Sequence, residues 1–350
     1  MTIHNHPIHL PTVDFSRFYG SAAERADFIK ELTHVLHDHG FFYLTGHGVP
    51  QSLIDEVLAV SKRFFALPEA DKLAVEMVRS SHFRGYNRAG YERTRGEQDW
   101  REQLDINTEG EAVASAEDTP WNRLYGPNQW PEALPELRPL LLRYQAEVTR
   151  IGIDVLKAIA LSLGQPENAF ADIYEPSPSQ LLKIIRYPGR EAAGSDQGVG
   201  AHKDGGFVTV LLQDTTPGLR IRTEEGVWID APPVPGTFVI NSGELLELAT
   251  NGFVRADVHD VVTPPAGTER FSVAFFLGAR YDATIPVIPL PEELKRGERG
   301  VTVDPLNPIF REVGINHLKS RLRSHPDVAE KHHPDLLHLL EKPATRKEPA

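Results

Sequence analysis

The chain first shows helical periodicity: Phe28, Leu32, Val35 and Leu36 fall on one face of a stretch that opens at Ser21-Ala-Ala-Glu24 and stops at Gly40. Serine followed three residues later by glutamate has capping-box spacing, in which each residue satisfies a free backbone N–H at a helix start. Phe41-Phe42-Tyr43-Leu44 is a short apolar run suited to a strand, and beyond the turn Thr45-Gly-His-Gly-Val-Pro50 a second helix is expected over about Ser52–Phe65. Residues 79–135 are polar and rich in Gly, Pro and Trp, which predicts long loops. Helical spacing returns over Glu136–Leu163 through Leu140, Tyr144, Val148, Ile151 and Val155.

The period changes after Glu175-Pro-Ser-Pro-Ser-Gln180. Strand candidates follow at Leu181–Tyr187, Val208–Gln213, Leu219–Arg222, Val227–Asp230, Thr237–Asn241, Arg255–Val262 and Arg270–Leu277, separated by Gly and Pro turns. No crossover helices separate them, which argues against a parallel α/β sheet and for an antiparallel sandwich or jelly roll. Beyond Pro291 the helical pieces expected are His317–Arg323 and Pro334–Leu340, and Lys342–Ala350 reads as a frayed tail. The expected organisation is a mixed helical N-terminal region (1–177), a jelly-roll core (178–285) and a C-terminal helical buttress with its tail (286–350).

Composition narrows the chemistry. With 350 residues and 40% apolar content the chain can build one large domain or two small ones, and disorder is excluded. The 37 basic and 49 acidic residues give a net charge of −12, which repels a phosphate backbone and argues against a nucleic-acid partner. Cysteine is absent, so disulfides, thiolate metal sites and cysteine nucleophiles are excluded, and a metal would be held by imidazole and carboxylate. Met1–Val13 lacks a basic region followed by an apolar run, and no apolar run reaches about 18 residues, so no membrane association and a cytoplasmic location are expected.

Ala201-His202-Lys203-Asp204-Gly205-Gly206 stands just before a strand candidate. In extended backbone residues two apart share a side, so His202 and Asp204 can converge on one metal while Lys203 points away. Taken alone, His-x-Asp is ordinary turn chemistry. His259, 55 residues after Asp204 and inside another strand candidate, supplies a third ligand, and two histidines with one carboxylate are the facial triad of non-haem iron(II) oxygenases. Eleven positions later, alternation puts Arg270 and Ser272 on one strand face, where a guanidinium needs an anion.

These residues resemble those of the 2-oxoglutarate-dependent oxygenases of the isopenicillin N synthase type, and the resemblance covers nearly the whole chain. It implies a double-stranded β-helix core. It makes His202, Asp204 and His259 the iron ligands and catalytic centre, with Arg270, Ser272 and the tyrosine of Arg186-Tyr187-Pro188 on the 2-oxoglutarate carboxylate. Pro11-Thr-Val-Asp14-Phe15 and His39–Pro50 resemble the family's N-terminal domain. The implied reaction is oxidation of a small organic molecule with iron(II), 2-oxoglutarate and dioxygen. Many plant members carry asparagine where Ile185 stands and threonine where Lys203 stands; Asp204 is retained, which favours hydroxylation, desaturation or ring closure over halogenation. Two alternatives stay open: an oxidase of the same fold whose Arg270, Ser272 and Tyr187 hold a substrate carboxylate, and a non-catalytic jelly roll that binds a small ligand.

Substrate contacts are expected from Arg84, Tyr86, Arg101 and Glu102 in the polar segment and from Arg186, Phe207 and Phe276 in the strands; surface ion pairs are the competing reading for the first group. Gly198-Val-Gly200 lacks the glycine a dinucleotide fingerprint needs at Lys203 and reads as a flexible turn. His4, His6 and His9 read as a solvated tail, and His34, His37 and His39 as donors at a helix end.

Overall fold

Short strands and helices alternate at the start: β1 (Thr12–Asp14), α1 (Ala22–Asp38), β2 (Phe41–Thr45), α2 (Gln51–Phe65) and α3 (Glu69–Ala74). The next stretch holds β3 (Gly85–Asn87), the small hairpin β4 (Arg93–Thr94) and β5 (Glu97–Gln98), β6 (Glu102–Asn107), α4 (Leu137–Ser162) and the single turn α5 (Ala171–Tyr174). The β-rich part contains β7 (Gln180–Tyr187), β8 (Gln197–His202), β9 (Val208–Gln213), β10 (Leu219–Arg222), β11 (Trp228–Asp230) and β12 (Phe238–Ser242). It continues with α6 (Glu244–Ala249), β13 (His259–Val262), β14 (Arg270–Leu277), α7 (Glu292–Lys295), α8 (Val313–Ser324) and α9 (Pro326–His332), and the last described element is a 3-10 helix over Pro334–Leu340, where a helical piece is expected. The structure is a computed structural model describing residues 9–192, 194–302 and 307–340. His4, His6 and the tail Lys342–Ala350 lie outside the described residues.

The capping box at Ser21 forms as expected, with the Glu24 carboxylate accepting the Ser21 N–H at 2.8 Å and the Ser21 hydroxyl accepting the Glu24 N–H at 3.4 Å. Eight strands make one sheet in the order β1-β2-β12-β9-β14-β7-β6-β3, and four make a second in the order β11-β10-β13-β8. Within these two sheets every pairing except β1–β2 is antiparallel.

Side-chain alternation gives the large sheet two different faces. Leu182, Ile184, Val210, Val273 and Phe275 join Phe28, Val57, Phe64, Val148 and Val155 of α1, α2 and α4 in one apolar core. The opposite face carries Phe41, Tyr43, Ile185, Tyr187, Val239 and Ala274, which meet Val199, Leu219, Ile221 and Val261 of the small sheet in a second core. A large sheet, a small sheet and flanking helices are thus consistent with a jelly-roll core. Among the described residues no helix is long and apolar enough to cross a membrane.

Several expectations are corrected. Gly198-Val-Gly200 is a strand rather than a flexible turn: Val199 pairs with Val261, and a side chain at 198 would meet the Val261 carbonyl at 2.8 Å and the Tyr187 ring at 3.0 Å, so close packing demands the glycine. The segment expected to be loop contains β6, which pairs along its whole length with β7. The strand expected from Arg255 begins only at His259, because Arg255 and Asp257 pair with each other at 2.8 Å outside the ladder. Helix α6 has no counterpart in the sequence reading.

Candidate active site

His202 closes β8 and His259 opens β13, directly opposite each other in the ladder, and Asp204 lies in the turn leaving β8. The ladder shifts register just after His259, a bulge of the kind that re-aims side chains beside sites. The imidazole rings stand 4.3 Å apart, and their Nε2 atoms lie 3.5 and 3.6 Å from Asp204 Oδ1, so one ion can reach all three.

What surrounds the three residues fixes their orientation. His202 Nδ1 faces the Gly200 carbonyl at 2.8 Å and His259 Nδ1 faces that of Asp257 at 3.3 Å, which places the proton on Nδ1 and leaves each Nε2 lone pair toward the centre. Asp204 Oδ2 accepts from Thr209 Oγ1 at 2.5 Å and Asn241 Nδ2 at 2.7 Å, so Oδ1 is the oxygen turned to the histidines. Burial disfavours the Asp204 anion, yet His259, His202 and Asn241 outweigh it and hold the carboxyl well below its usual range. Burial, aided by His202, pushes His259 down to about 4, which keeps it neutral and able to ligate. Two neutral imidazoles and one carboxylate on one side of a centre suit iron(II) with open positions.

The same interior holds an unusual cation. Arg270 is fully buried, its guanidinium 4.8 Å from the Tyr187 ring centroid, with Nη2 donating to Gln213 Oε1 at 2.9 Å and Nη1 reaching Ser272 Oγ at 3.5 Å. Its Nε has no partner, and among the described residues no carboxylate pairs with it. A buried guanidinium in that condition is completed by an anion, and Ser272 and Tyr187 stand where they can share it.

Of the expected substrate residues, two face this interior. Phe276 shares the β14 face of Arg270 and Ser272 and lies opposite Thr209. Arg101, just before β6, interacts with Tyr187 and donates to Glu92 at 2.7 Å. The others lie elsewhere. Arg84 pins its own loop through the Thr108 and Leu124 carbonyls at 2.8 and 3.0 Å. Tyr86 and Arg186 both donate to Glu102 on the helix-packed side of the sheet, where Lys72 also reaches Glu102 at 3.1 Å, and Phe207 packs on Phe170. Alternation explains this: Arg186 and Glu102 are one step out of phase with Tyr187 and Gln103, and one step turns a strand side chain to the other face. Lys203 points away from the centre to Glu247 at 2.7 Å. His9 is exposed, and His39 caps α1.

Sequence reasoning missed Thr209, Asn241 and Gln213. Alternation in Val208-Thr-Val-Leu-Leu-Gln213 puts Thr209 and Gln213 on the face opposite the valines, but only the pairing of β9 with β12 and β14 brings that face to the site.

Residues 10–133 match the family described as non-haem dioxygenase in morphine synthesis N-terminal, and residues 178–279 match the 2OG-Fe(II) oxygenase superfamily. Over 95% of both chains the sequence is 36% identical to the 2-oxoglutarate-dependent dioxygenase frbJ of Dothideomycetidae sp. (strain 11243). It is 31% identical to homoarginine-6-hydroxylase 2-ODD-C23.1 of Arabidopsis thaliana, over 83% of this chain and 91% of that one. Among solved structures, a full-length Neurospora crassa protein in complex with alpha-KG and 5-formyluracil superposes with a TM-score of 0.71 at 25% identity, covering 91% of this chain and 97% of that one.

Proposed function

This chain belongs to the iron(II)- and 2-oxoglutarate-dependent oxygenases, and from that premise we propose how its residues divide the work on a small organic substrate. His202, Asp204 and His259 hold the iron. Arg270, with Ser272 and Tyr187, holds the distal carboxylate of 2-oxoglutarate. The single observation that carries this division is Arg270: buried, facing Tyr187, and without a carboxylate among the described residues. Iron, once bound, supplies activation of dioxygen coupled to conversion of 2-oxoglutarate to succinate and carbon dioxide.

The chain's part is to position and to exclude water. Thr209 and Asn241 fix the Asp204 carboxylate so that one oxygen faces the metal. Phe41, its ring 5.0 Å from that of His259, shields that ligand on its apolar side. Ile185 is buried and apolar, and Gln213 brings an amide to the guanidinium from β9. The two sheets close as a double-stranded β-helix, with 1–177 and 286–350 as the regions that flank the core. The relatives, one named a hydroxylase of homoarginine and one structure holding 5-formyluracil, support a small, polar, nitrogen-bearing substrate and hydroxylation as the outcome.

The test is succinate formation. Iron(II)-loaded protein given 2-oxoglutarate and oxygen should release succinate slowly, faster with a true substrate, and Asp204→Ala should release none. Product formation without 2-oxoglutarate, and no succinate when it is added, would reassign Arg270, Ser272 and Tyr187 to the substrate.

A further inference from the structure

Strand β6 turns alternate residues to its two sides, and the two sides are satisfied differently. Toward the helices, Glu102 is ion-paired and Leu104 and Ile106 are in the apolar core. Toward the interior, Arg101 Nε, both amide atoms of Gln103 and Asp105 Oδ1 are buried with no hydrogen-bond partner. Ser179 Oγ and His317 Nε2 are also buried without a partner, but they lie near Gly278, at the other end of β7 from the residue facing Gln103. Gln103 stands out: it is fully buried, and among the described residues it is the only buried amide side chain with both ends unpartnered. Buried polar groups in native proteins have partners, so unpartnered ones on one interior face mark where a polar ligand sits.

Register places this ligand beside the co-substrate. Gln103, Ile185, Ser272 and Gln213 form one row across four strands, which puts Gln103 roughly 10 Å from Ser272, two strand spacings away. Resting on the oxygenase reading above, we infer that Gln103 is a specificity-determining residue that reads an amide-like group, a neighbouring N–H and C=O, on the substrate. The side-chain carboxamide offers one acceptor and two donors. An amide, ureide or imide edge meets both ends with two bonds. An ionised carboxylate has no donor for Oε1, and a guanidinium has no acceptor for Nε2. Asp105 does not demand a cationic substrate, since its other oxygen already takes Lys183 at 3.2 Å and Arg321 at 2.9 Å.

The test uses full-length protein with zinc(II) in place of iron(II) and saturating 2-oxoglutarate, with binding read by ligand-observed NMR. The probes are matched pairs: glutarimide with cyclohexanone, and dihydrouracil with its N,N′-dimethyl derivative. The N–H-bearing member of each pair should bind to wild type, and Gln103→Met should weaken it about 10- to 100-fold, as expected when two buried hydrogen bonds lose one partner. Gln103→Met should also raise the melting temperature of ligand-free protein by a few degrees, because a nearly isosteric apolar side chain replaces an unsatisfied one. Equal binding of both members of each pair, or binding unchanged by Gln103→Met, overturns the inference. So does a lower melting temperature in the variant, which would mean that ordered water satisfies the amide. Substrate-independent succinate release by the wild-type iron protein tests the oxygenase reading separately: its absence would defeat that reading, not the assignment of Gln103.

Discussion

Asp204 suits the ligand role proposed for it because its two oxygens have different partners. Thr209 and Asn241 hold Oδ2, and the carboxylate plane that results delivers Oδ1 to both imidazoles. Partners of this kind contribute to metal affinity without touching the metal. Asn241→Leu should therefore weaken iron(II) binding about 10- to 100-fold in an anaerobic chelator competition while the fold persists; unchanged affinity would show that the orientation of Asp204 is set elsewhere. Lys203 gives the converse case. It sits between two ligands in sequence but donates to Glu247 on α6, so Lys203→Thr should leave iron affinity nearly unchanged. The cost appears in stability, about 1–3 kcal/mol in chemical denaturation of the metal-free protein, because Glu247 stays buried with one partner fewer. The pairs His202/Asp204 and Arg270/Ser272 were visible as candidates in sequence because short spacings and strand alternation put each pair on one side, whereas His259, 55 residues on, joined them through its strand candidate and the family resemblance. Thr209 and Asn241 were not, because their meaning depends on which strand pairs with which.

At the scale of elements, α8 delivers charged and polar residues to the interior end of the large sheet. Arg321 reaches Asp105, His317 sits under Tyr281, and His325, the cap residue after Ser324, meets Asn87 at 3.0 Å and Glu92 at 3.6 Å. Burial, with Arg321 adding to it, pushes His317 down to about 4; burial also pushes His325 to about 4, with Glu92 opposing and Arg321 and Lys183 assisting. Both are neutral when folded at pH 6, whereas an unfolded histidine takes up a proton below about 6.5. The unfolded state therefore binds more protons between about 6.5 and 4, and stability falls as pH falls through that window. A shift of this size corresponds to up to about 3 kcal/mol per group. The melting temperature of metal-free protein should drop between pH 6.5 and 5, before most carboxylates titrate, and His317→Gln should flatten the drop. An unaltered slope would remove His317 from the account. The helix itself was partly visible in sequence as His317–Arg323, but β6 was hidden: only Leu104 and Ile106 are apolar in it, too few for a periodic signal, since its other face carries the polar residues of the interior.

The whole molecule places a metal triad and a buried guanidinium in one interior, between the large sheet and the small one. Each group is incomplete in a way that one ligand completes, so ligand binding and folding stability must be linked. Manganese(II) as a redox-quiet substitute should raise the melting temperature, and 2-oxoglutarate should raise it further only once metal is present. At 100 times the dissociation constant each ligand adds about 2.7 kcal/mol. The two increments separate the two sites. Asp204→Ala should lose both, because 2-oxoglutarate has no metal to chelate. Arg270→Ala should keep the metal increment and lose the 2-oxoglutarate increment at the same concentration, since removing one partner of a buried charge pair costs on the order of 2 to 5 kcal/mol, or about 30- to 4,000-fold in apparent affinity. Lysine at 270 should restore part of it, because it supplies the charge without the planar fork that Gln213 and Ser272 grip. A 2-oxoglutarate increment of undiminished size in Arg270→Ala would mean that another cation holds the distal carboxylate, and Arg101, which already lies against Tyr187, is the side chain that would then have to be moved into that role.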